Sequence, residues 1–468
     1  MRPPISAGVV IDGFVVKEPL AAGGTAQLWI VERLGDAVPL VMKVPHLGDS
    51  DNPLPIVSFE AEHMILPRLS GPHVPRFVAA GEFETQPYLV MERIPGPSLK
   101  ARLPDLPLPW PEVAGIGAKV AAALHDIHLQ QVVHLDVKPS NVMFRESGEA
   151  VLIDFGFARH DQLPDLLAEE FREPFGTTPY MAPEQVLEGR SDPRSDLFAL
   201  GAMLYFFVTG ERPYGTPQGS RIRRRLWREP VPPRALRPDC PPWLQEVILR
   251  CLEADPRDRY ATAAQLAMDL RNPDQVQLTT RAERLTRQTG LAVFRRWLAA
   301  RRSRPRVESV TDQLSRSPIV LVAVDLSPEG DRLAGPIRGF LRRILALEPN
   351  ARLACVNVLK TSRIGIDILE DAEGQSLHLK RLIELRHWSR SFDIPAERLT
   401  CSVLQAADPA SALVEYARHN QVDHVVVGAR SSSGLRRYLG SVSARVVAEA
   451  PCSVTVIRAS RVPADPAA

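Results

Sequence analysis

Cysteine is scarce in this chain. Five residues in 468 (Cys240, Cys251, Cys355, Cys401 and Cys452) show no CxxC or other metal-ligand spacing. That excludes a disulfide scaffold and reads as small buried hydrophobes in a reducing compartment. Charge of either sign is balanced to a net +2, which gives no global preference for nucleic acid. No apolar run is long enough to span a bilayer, and Met1-Arg2-Pro3-Pro4 lacks the apolar run of a signal peptide. The expected location is the cytoplasm, with neither nucleic acid nor membrane as partner. Lysine is rare, seven among 57 Lys and Arg, so a lysine inside a chemical motif carries weight. Residues 157–175 contain no serine, threonine or tyrosine. At 468 residues the chain is too long for one core, and two or three domains are expected.

What is present begins at residues 134–141, His-Leu-Asp-Val-Lys-Pro-Ser-Asn, followed by Asp154-Phe155-Gly156. Asp136 can orient an incoming hydroxyl and accept its proton. Lys138, two residues on, falls on the same side of an extended loop and can neutralise a transferring phosphoryl group. Asn141 and Asp154 offer the hard oxygens that suit magnesium. The apolar run before Asp154 reads as a strand, and Gly156 permits a sharp turn after it. Phosphoryl transfer asks a protein for little beyond this positioning and charge neutralisation.

These motifs resemble the catalytic core of eukaryotic-like protein kinases, particularly the bacterial serine/threonine type, over about residues 13–271. The resemblance implies a bilobal α+β kinase fold, ATP and Mg2+ as cofactors, Asp136 and Lys138 as catalytic residues, and Asn141 and Asp154 as metal ligands. It implies that Gly23 and Gly24 belong to the glycine-rich loop over the phosphates, and that Lys43 contacts the α- and β-phosphates and pairs with Glu62. Glu60 competes for that pairing, but Phe59, Leu66 and Leu69 fit the register with Glu62 facing in. Tyr88–Ile94 resembles the hinge between lobes, with backbone groups of Glu92 and Ile94 on the adenine edge and Met91 at the back of the pocket. Gly176–Glu184 resembles the end of an activation segment, with Glu184 as a structural partner of Arg259. Ser195–Gly201 resembles the start of the central helix of the large lobe. Lys138 implies serine or threonine acceptors in protein substrates, with Thr177 holding the catalytic loop near the substrate.

The chain departs from the family pattern in three places. The first and third glycines of the loop are Ala21 and Ala26, which keeps open a second reading, a nucleotide-binding scaffold of negligible activity. The arginine that normally precedes the catalytic aspartate, and grips a phosphate on the activation segment, is Leu135. Residues 157–175 have no acceptor for such a phosphate and carry Asp161, Asp165, Glu169, Glu170 and Glu173 instead. Constitutive activity, or control from outside the segment, is expected.

Residues 272–316 read as an arginine-rich linker. Leu291, Phe294, Trp297 and Leu298 share one helical face, and Arg295, Arg296, Arg301 and Arg302 lie mostly on the other. Such a helix either docks its apolar face on a neighbouring lobe or lies on an anionic membrane surface. Thr279, Thr280, Thr286, Thr289, Ser303, Ser309 and Thr311 make the linker an autophosphorylation target.

Residues 317–459 alternate strands (Pro318–Asp325, Arg352–Leu359, Leu399–Leu404, His424–Gly428, Ser453–Ile457) with helices near 330–346, 375–391, 409–419 and 441–449. That pattern predicts an α/β parallel sheet covered on both faces, with ligands at the carboxyl ends of strands. Val425–Arg430, Ser431-Ser432-Ser433-Gly434, Gly440-Ser441-Val442-Ser443 and Ala450-Pro451-Cys452 resemble the universal stress protein family, which has a Rossmann-like fold. Nucleotide-binding members carry Gly-x-x-Gly, nine residues, then Gly-Ser/Thr. Here Ser431 takes the second glycine position and eight residues follow it. The resemblance implies either a second nucleotide site at Asp325, Gly428, Gly434, Gly440 and Ser441, or a dimerisation module that binds nothing. It also implies that the last strand pairs between subunits of a homodimer, and that the module couples a kinase to stress signalling.

Overall fold

The computed structural model describes residues 5–458, apart from 34, 36–37, 47–52, 82–85, 172–173, 175, 188, 217–218, 287–288, 303–307, 316, 329, 362–375, 393, 396–397 and 430–439. It divides into two units, Met1–Pro273 with Leu278–Gln313, and Asp274–Gln277 with Leu314–Ala468.

The first unit opens with β1 (Val10–Ile11), β2 (Phe14–Ala22), β3 (Ala26–Glu32) and β4 (Leu40–Pro45). Helix α1 (Leu54–Ile65), β5 (Phe77–Gly81) and β6 (Tyr88–Glu92) follow. The six strands form one antiparallel sheet in the order β1-β2-β3-β4-β6-β5. Alternate residues Phe14 and Val16, Trp29 and Val31, Leu40 and Met42, Tyr88 and Val90 supply its buried face. Lys43 projects from the opposite face, where α1 packs.

The larger part of this unit is helical: α2 (Trp110–Leu129), α5 (Arg194–Thr209), α7 (Pro242–Cys251) and α8 (Ala263–Arg271) around the shorter α3 (Leu166–Glu170), α4 (Pro183–Val186) and α6 (Pro233–Leu236). Helix α5 is buried on nearly every side, as its apolar sequence requires, and stops at Gly210, whose φ of 76° suits a residue without a Cβ. A Cβ on Gly201 would lie 2.4 Å from Cys251, so glycine lets α5 and α7 approach. Two short ladders, β7 (Val132–Val133) with β10 (Arg159–His160) and β8 (Val142–Phe144) with β9 (Ala150–Leu152), frame the segment carrying the acidic motifs.

Residues 278–313 belong to this unit and contain α9 (Thr280–Glu283), α10 (Gly290–Arg302) and the start of α11 (Val310–Ser315). The apolar face expected to dock on a lobe is exposed instead at Leu291, Phe294 and Leu298. The helix is held by charge: Arg296, together with Arg284, engages Glu229. Of the seven linker hydroxyls, Ser303 lies outside the described residues. Further on, Val310 is fully buried, Glu308 N donates to Asp192 (3.3 Å), and Thr311 donates to Asp161 Oδ2 (3.3 Å).

The second unit is a parallel sheet in the order β13-β12-β11-β14-β15, formed by β11 (Ile319–Ala323), β12 (Arg352–Lys360), β13 (Leu399–Ala406), β14 (His424–Ala429) and β15 (Ser453–Arg458). Helices α12 (Asp331–Leu347), α13 (Leu377–Ser389), α14 (Pro409–His419) and α15 (Ser441–Glu449) connect them. Val320, Val322, Leu333, Leu341, Leu353, Cys355, Leu385 and Val426 form its core. Strand β11 is shorter than expected. Asp325 lies two residues past its end, because its carboxylate accepts from Ser327 N (3.1 Å) and turns the chain out of the sheet. Gly428 is the penultimate residue of β14.

Candidate active site

Strand β4 and helix α1 bring Lys43 and Glu62 together as a buried ion pair, and Lys43 Nζ also donates to Asp154 Oδ1 at 2.7 Å. Glu62, not Glu60, faces inward; it is 1% exposed and also accepts from Phe155 N (3.3 Å). Burial alone would depress the Lys43 ammonium, but Asp154 and Glu62 hold it above the usual lysine range. Burial pushes the Glu62 carboxyl up against the pull of Lys43. Burial would also raise Asp154, yet Lys43 wins and draws it down to about 2. One cation thus sits between two carboxylates, and the Asp154 side chain is 37% exposed.

The start of the loop 134–141 is fixed by bonds from its backbone to buried side chains. Asp196, at the start of α5 and fully buried, accepts from His134 N (2.8 Å), Leu135 N (2.7 Å) and His128 Nε2 (2.9 Å). Leu135 and Asp154 both adopt positive φ, 61° and 68°, a conformation costly for residues bearing a Cβ. The strain at Leu135 is held by Asp196 on its N–H and by Gln185 Nε2 on its carbonyl (3.0 Å). Asp196 was reached only as part of the Ser195–Gly201 helix start, with no role given, and nothing in the sequence pattern singled out Gln185. A buried aspartate at the head of an apolar helix was the signal available.

At the end of this loop four groups converge. Asp136 Oδ2 accepts from Lys138 Nζ (2.6 Å) and Asn141 Nδ2 (3.1 Å). Asp136 Oδ1 accepts from Thr177 N (3.0 Å) and Thr177 Oγ1 (2.7 Å). Lys138 Nζ donates to Thr177 Oγ1 as well (3.0 Å). Asn141 Oδ1 accepts from Ser140 Oγ (3.1 Å), and an amide oxygen and a carboxylate such as that of Asp154 are donor types that a hard cation prefers.

Gly23 and Gly24 lie in the turn between β2 and β3, where Gly23 N donates to Ala26 O (2.9 Å). A Cβ on Gly24 would meet nothing within 4 Å, so the turn itself does not demand glycine there. Glu92 ends β6. Its carboxylate is taken by Arg145, with Nη2 at 2.9 Å, and its N–H donates to Arg76 O at 2.8 Å. Arg145 is a second residue that pattern reading missed. Ile94 and Met91 are buried.

Glu184 and Arg259 form a two-pronged buried pair (2.7 and 2.8 Å), and Ser195 Oγ donates to Glu184 at 2.7 Å. The segment 157–175 is tied by Arg190, whose Nε reaches Asp165 and whose Nη2 donates to Phe157 O (3.1 Å). Leu135 is 4% exposed and apolar, so nothing at that position can bind a phosphate.

In the second unit Asp325, Gly428, Gly440 and Ser441 line one cavity of about 930 Å³ beyond the carboxyl ends of the strands, with Gly330, Asp408 and Arg445. Arg445 pairs with Asp408 across it. Gly434 lies outside the described residues.

The model of the protein kinase domain family matches residues 15–270, and that of the universal stress protein family matches residues 317–458. Serine/threonine-protein kinase PknL of Mycobacterium bovis is 30% identical over 274 residues, covering 58% of this chain and 67% of the relative. The probable serine/threonine-protein kinase PknB of Lactococcus lactis is 27% identical over 266 residues, covering 56% of this chain and 42% of the relative. The chain thus spans only part of the length of these relatives. The crystal structure of the M. tuberculosis PknI kinase domain is 25% identical, covers 58% of this chain and all of that one, and has a TM-score of 0.46.

Proposed function

The chain belongs to the protein kinase family, and we propose that it transfers the γ-phosphoryl group of ATP to serine or threonine hydroxyls of proteins. The observation that carries this reading is the convergence of Lys138, Asn141 and Thr177 on one carboxylate, Asp136, with Lys43 bound to Asp154 in the same unit. Lys43 would hold the non-transferring phosphates, fixed by Glu62. Asp136 would orient the acceptor hydroxyl and take its proton, the hydroxyl replacing one of the donors now on its oxygens. Lys138 would balance charge on the group in transit, and Thr177 would keep Lys138 and Asp136 aligned. Magnesium, held by Asn141 and Asp154, would supply neutralisation of phosphate charge. Gly23 and Gly24 would lie over the phosphates, with Glu92 and Ile94 backbone groups on the base. The test is transfer of γ-labelled phosphate to a serine- and threonine-rich protein, followed by acid hydrolysis. Label on phosphoserine or phosphothreonine in wild type and its loss in Asp136→Asn support the reading. Equal labelling of the two proteins overturns it and favours the scaffold.

For the second unit we propose an anionic nucleotide ligand in the cavity bounded by Asp325, Gly428, Gly440 and Ser441, near the N-terminus of α15. Strand β15, at the sheet edge, is the proposed dimer contact. Ser441→Glu, which places a negative charge there, should abolish nucleotide binding that persists in Lys43→Met. Binding unchanged by Ser441→Glu refutes the site, and a monomer in sedimentation velocity at micromolar concentration refutes the dimer.

A further inference from the structure

The five cysteines are scattered in sequence but not in space. Cys355 on β12 and Cys401 on β13 are direct partners in the parallel ladder. Both side chains enter the same core, where Cys355 is fully buried and Cys401 half-buried. Strand β13 is an edge of the sheet, so only one of the two thiols has a route to solvent.

We propose that Cys355 and Cys401 form a peroxide-oxidisable dithiol, with Cys401 as the reacting thiol and Cys355 as the thiol that resolves it. Cys355 is the neighbour of Cys401 across the ladder, and Ser389 Oγ stands 3.5 Å from the Cys401 sulfur. The adjacent Cys355 thiol and the Ser389 hydroxyl, with the nearby Arg386 guanidinium, offset burial and lower the Cys401 thiol to about 7. Burial instead pushes the Cys355 thiol well above its ordinary range. The thiolate at neutral pH is therefore the accessible one. Cys240 and Cys251 are buried, and burial pushes each thiol to about 12; burial also raises half-buried Cys452, to about 11.

The chemistry balances with a peroxide as oxidant. The Cys401 thiolate attacks one peroxide oxygen and the O–O bond breaks, giving a sulfenic acid and, after proton uptake, one water. The Cys355 sulfur then attacks the sulfenic sulfur, its proton leaves with the hydroxyl as a second water, and the S–S bond forms. Two electrons pass from the thiols to the peroxide. Adjacent parallel strands run about 4.8 Å apart. That spacing lies within the Cα range disulfides span, about 4.4–6.8 Å, while their Cβ atoms need an approach to about 3.8 Å. The sheet must tighten locally to close the bond, and a strained disulfide is readily reduced again. The site therefore suits reversible oxidation rather than permanent cross-linking.

The test treats the full chain at pH 7 with one equivalent of hydrogen peroxide, then alkylates free thiols and maps peptides without reductant. A loss of about 2 Da and a linked peptide pair carrying residues 355 and 401, both reversed by dithiothreitol, are expected. Cys355→Ala should leave Cys401 as a sulfenic acid that a 1,3-diketone traps, with no linked pair. Mapping of the wild type decides the matter even if that variant folds poorly. Oxidation of Cys452 or Cys240 ahead of Cys401, or a wild-type Cys401 sulfenate that never links to Cys355, overturns the proposal.

Discussion

Arg190 grips Asp165, with its Nε 2.9 Å from Oδ2 and 3.2 Å from Oδ1. Asp165 in turn caps α3 through Ala168 N (3.3 Å), so a guanidinium and a carboxylate encoded in the chain hold residues 157–168. A phosphate is the other means of ordering such a segment, and this one has no hydroxyl to carry it. Arg190→Ala should lower the transfer rate roughly tenfold, the equivalent of one charge-assisted hydrogen bond. It should also expose 157–175 to limited proteolysis. Initial rates and a digestion time course check this. An exchanged pair, Asp165→Arg with Arg190→Asp, should restore part of the loss.

Thr177, at the end of this segment, sets its hydroxyl 2.7 Å from Asp136 Oδ1. Because it donates to Asp136 Oδ1 and accepts from Lys138, Thr177→Val should lower kcat by about tenfold to a hundredfold with little change in KM for ATP, while Thr177→Ser keeps most of the rate. A phosphate on Thr177 would set a dianion against Asp136 and should inhibit. Phosphosite mapping combined with kinetics checks both. Strong activation by phosphate on Thr177 or Thr178 would show that the switch does lie in this segment.

Glu184 and Arg259 are both fully buried, and each satisfies the other's charge. Removing one partner strands the other in a medium that cannot solvate it. Glu184→Ala or Arg259→Ala should each cost about 3–5 kcal/mol in urea unfolding. The double variant should cost less than the sum, because no unpaired charge is left.

His125 gives the first unit an acid sensitivity. Burial, aided by the neighbouring His128, lowers its imidazole to about 3. An imidazole in the unfolded chain binds a proton below about 6.5, long before the folded one does. Stability is therefore complete above that pH and falls as pH drops from about 6.5 toward 3, by about 2 kcal/mol between pH 7 and 5. Urea midpoints across that range check the slope, and His125→Leu should flatten it.

Pattern reading reached the side chains whose chemistry is written in short motifs. Asp136, Lys138, Asn141 and Asp154 sit within 19 positions of one another, and the loop and turn that join them can be read locally. What stayed hidden depends on contacts between distant segments. Asp196 accepts from Leu135 across 61 positions and Arg145 reaches Glu92 across 53, and no motif states either contact. The face of α10 misled for a related reason: amphipathic spacing shows which side is apolar, not whether anything covers it. Cys355 and Cys401 became partners only through strand register, which helices and loops of unequal length conceal.

The most direct measurement is a crystal structure of the full chain with magnesium and a non-hydrolysable ATP analogue. The account predicts one metal ion bound by Asp154 and the Asn141 amide oxygen, the Lys43 ammonium on the α- and β-phosphates, and the γ-phosphate facing Asp136. A nucleotide bound with its phosphates directed away from these four side chains, or a cleft that stays empty at saturating nucleotide, would contradict it.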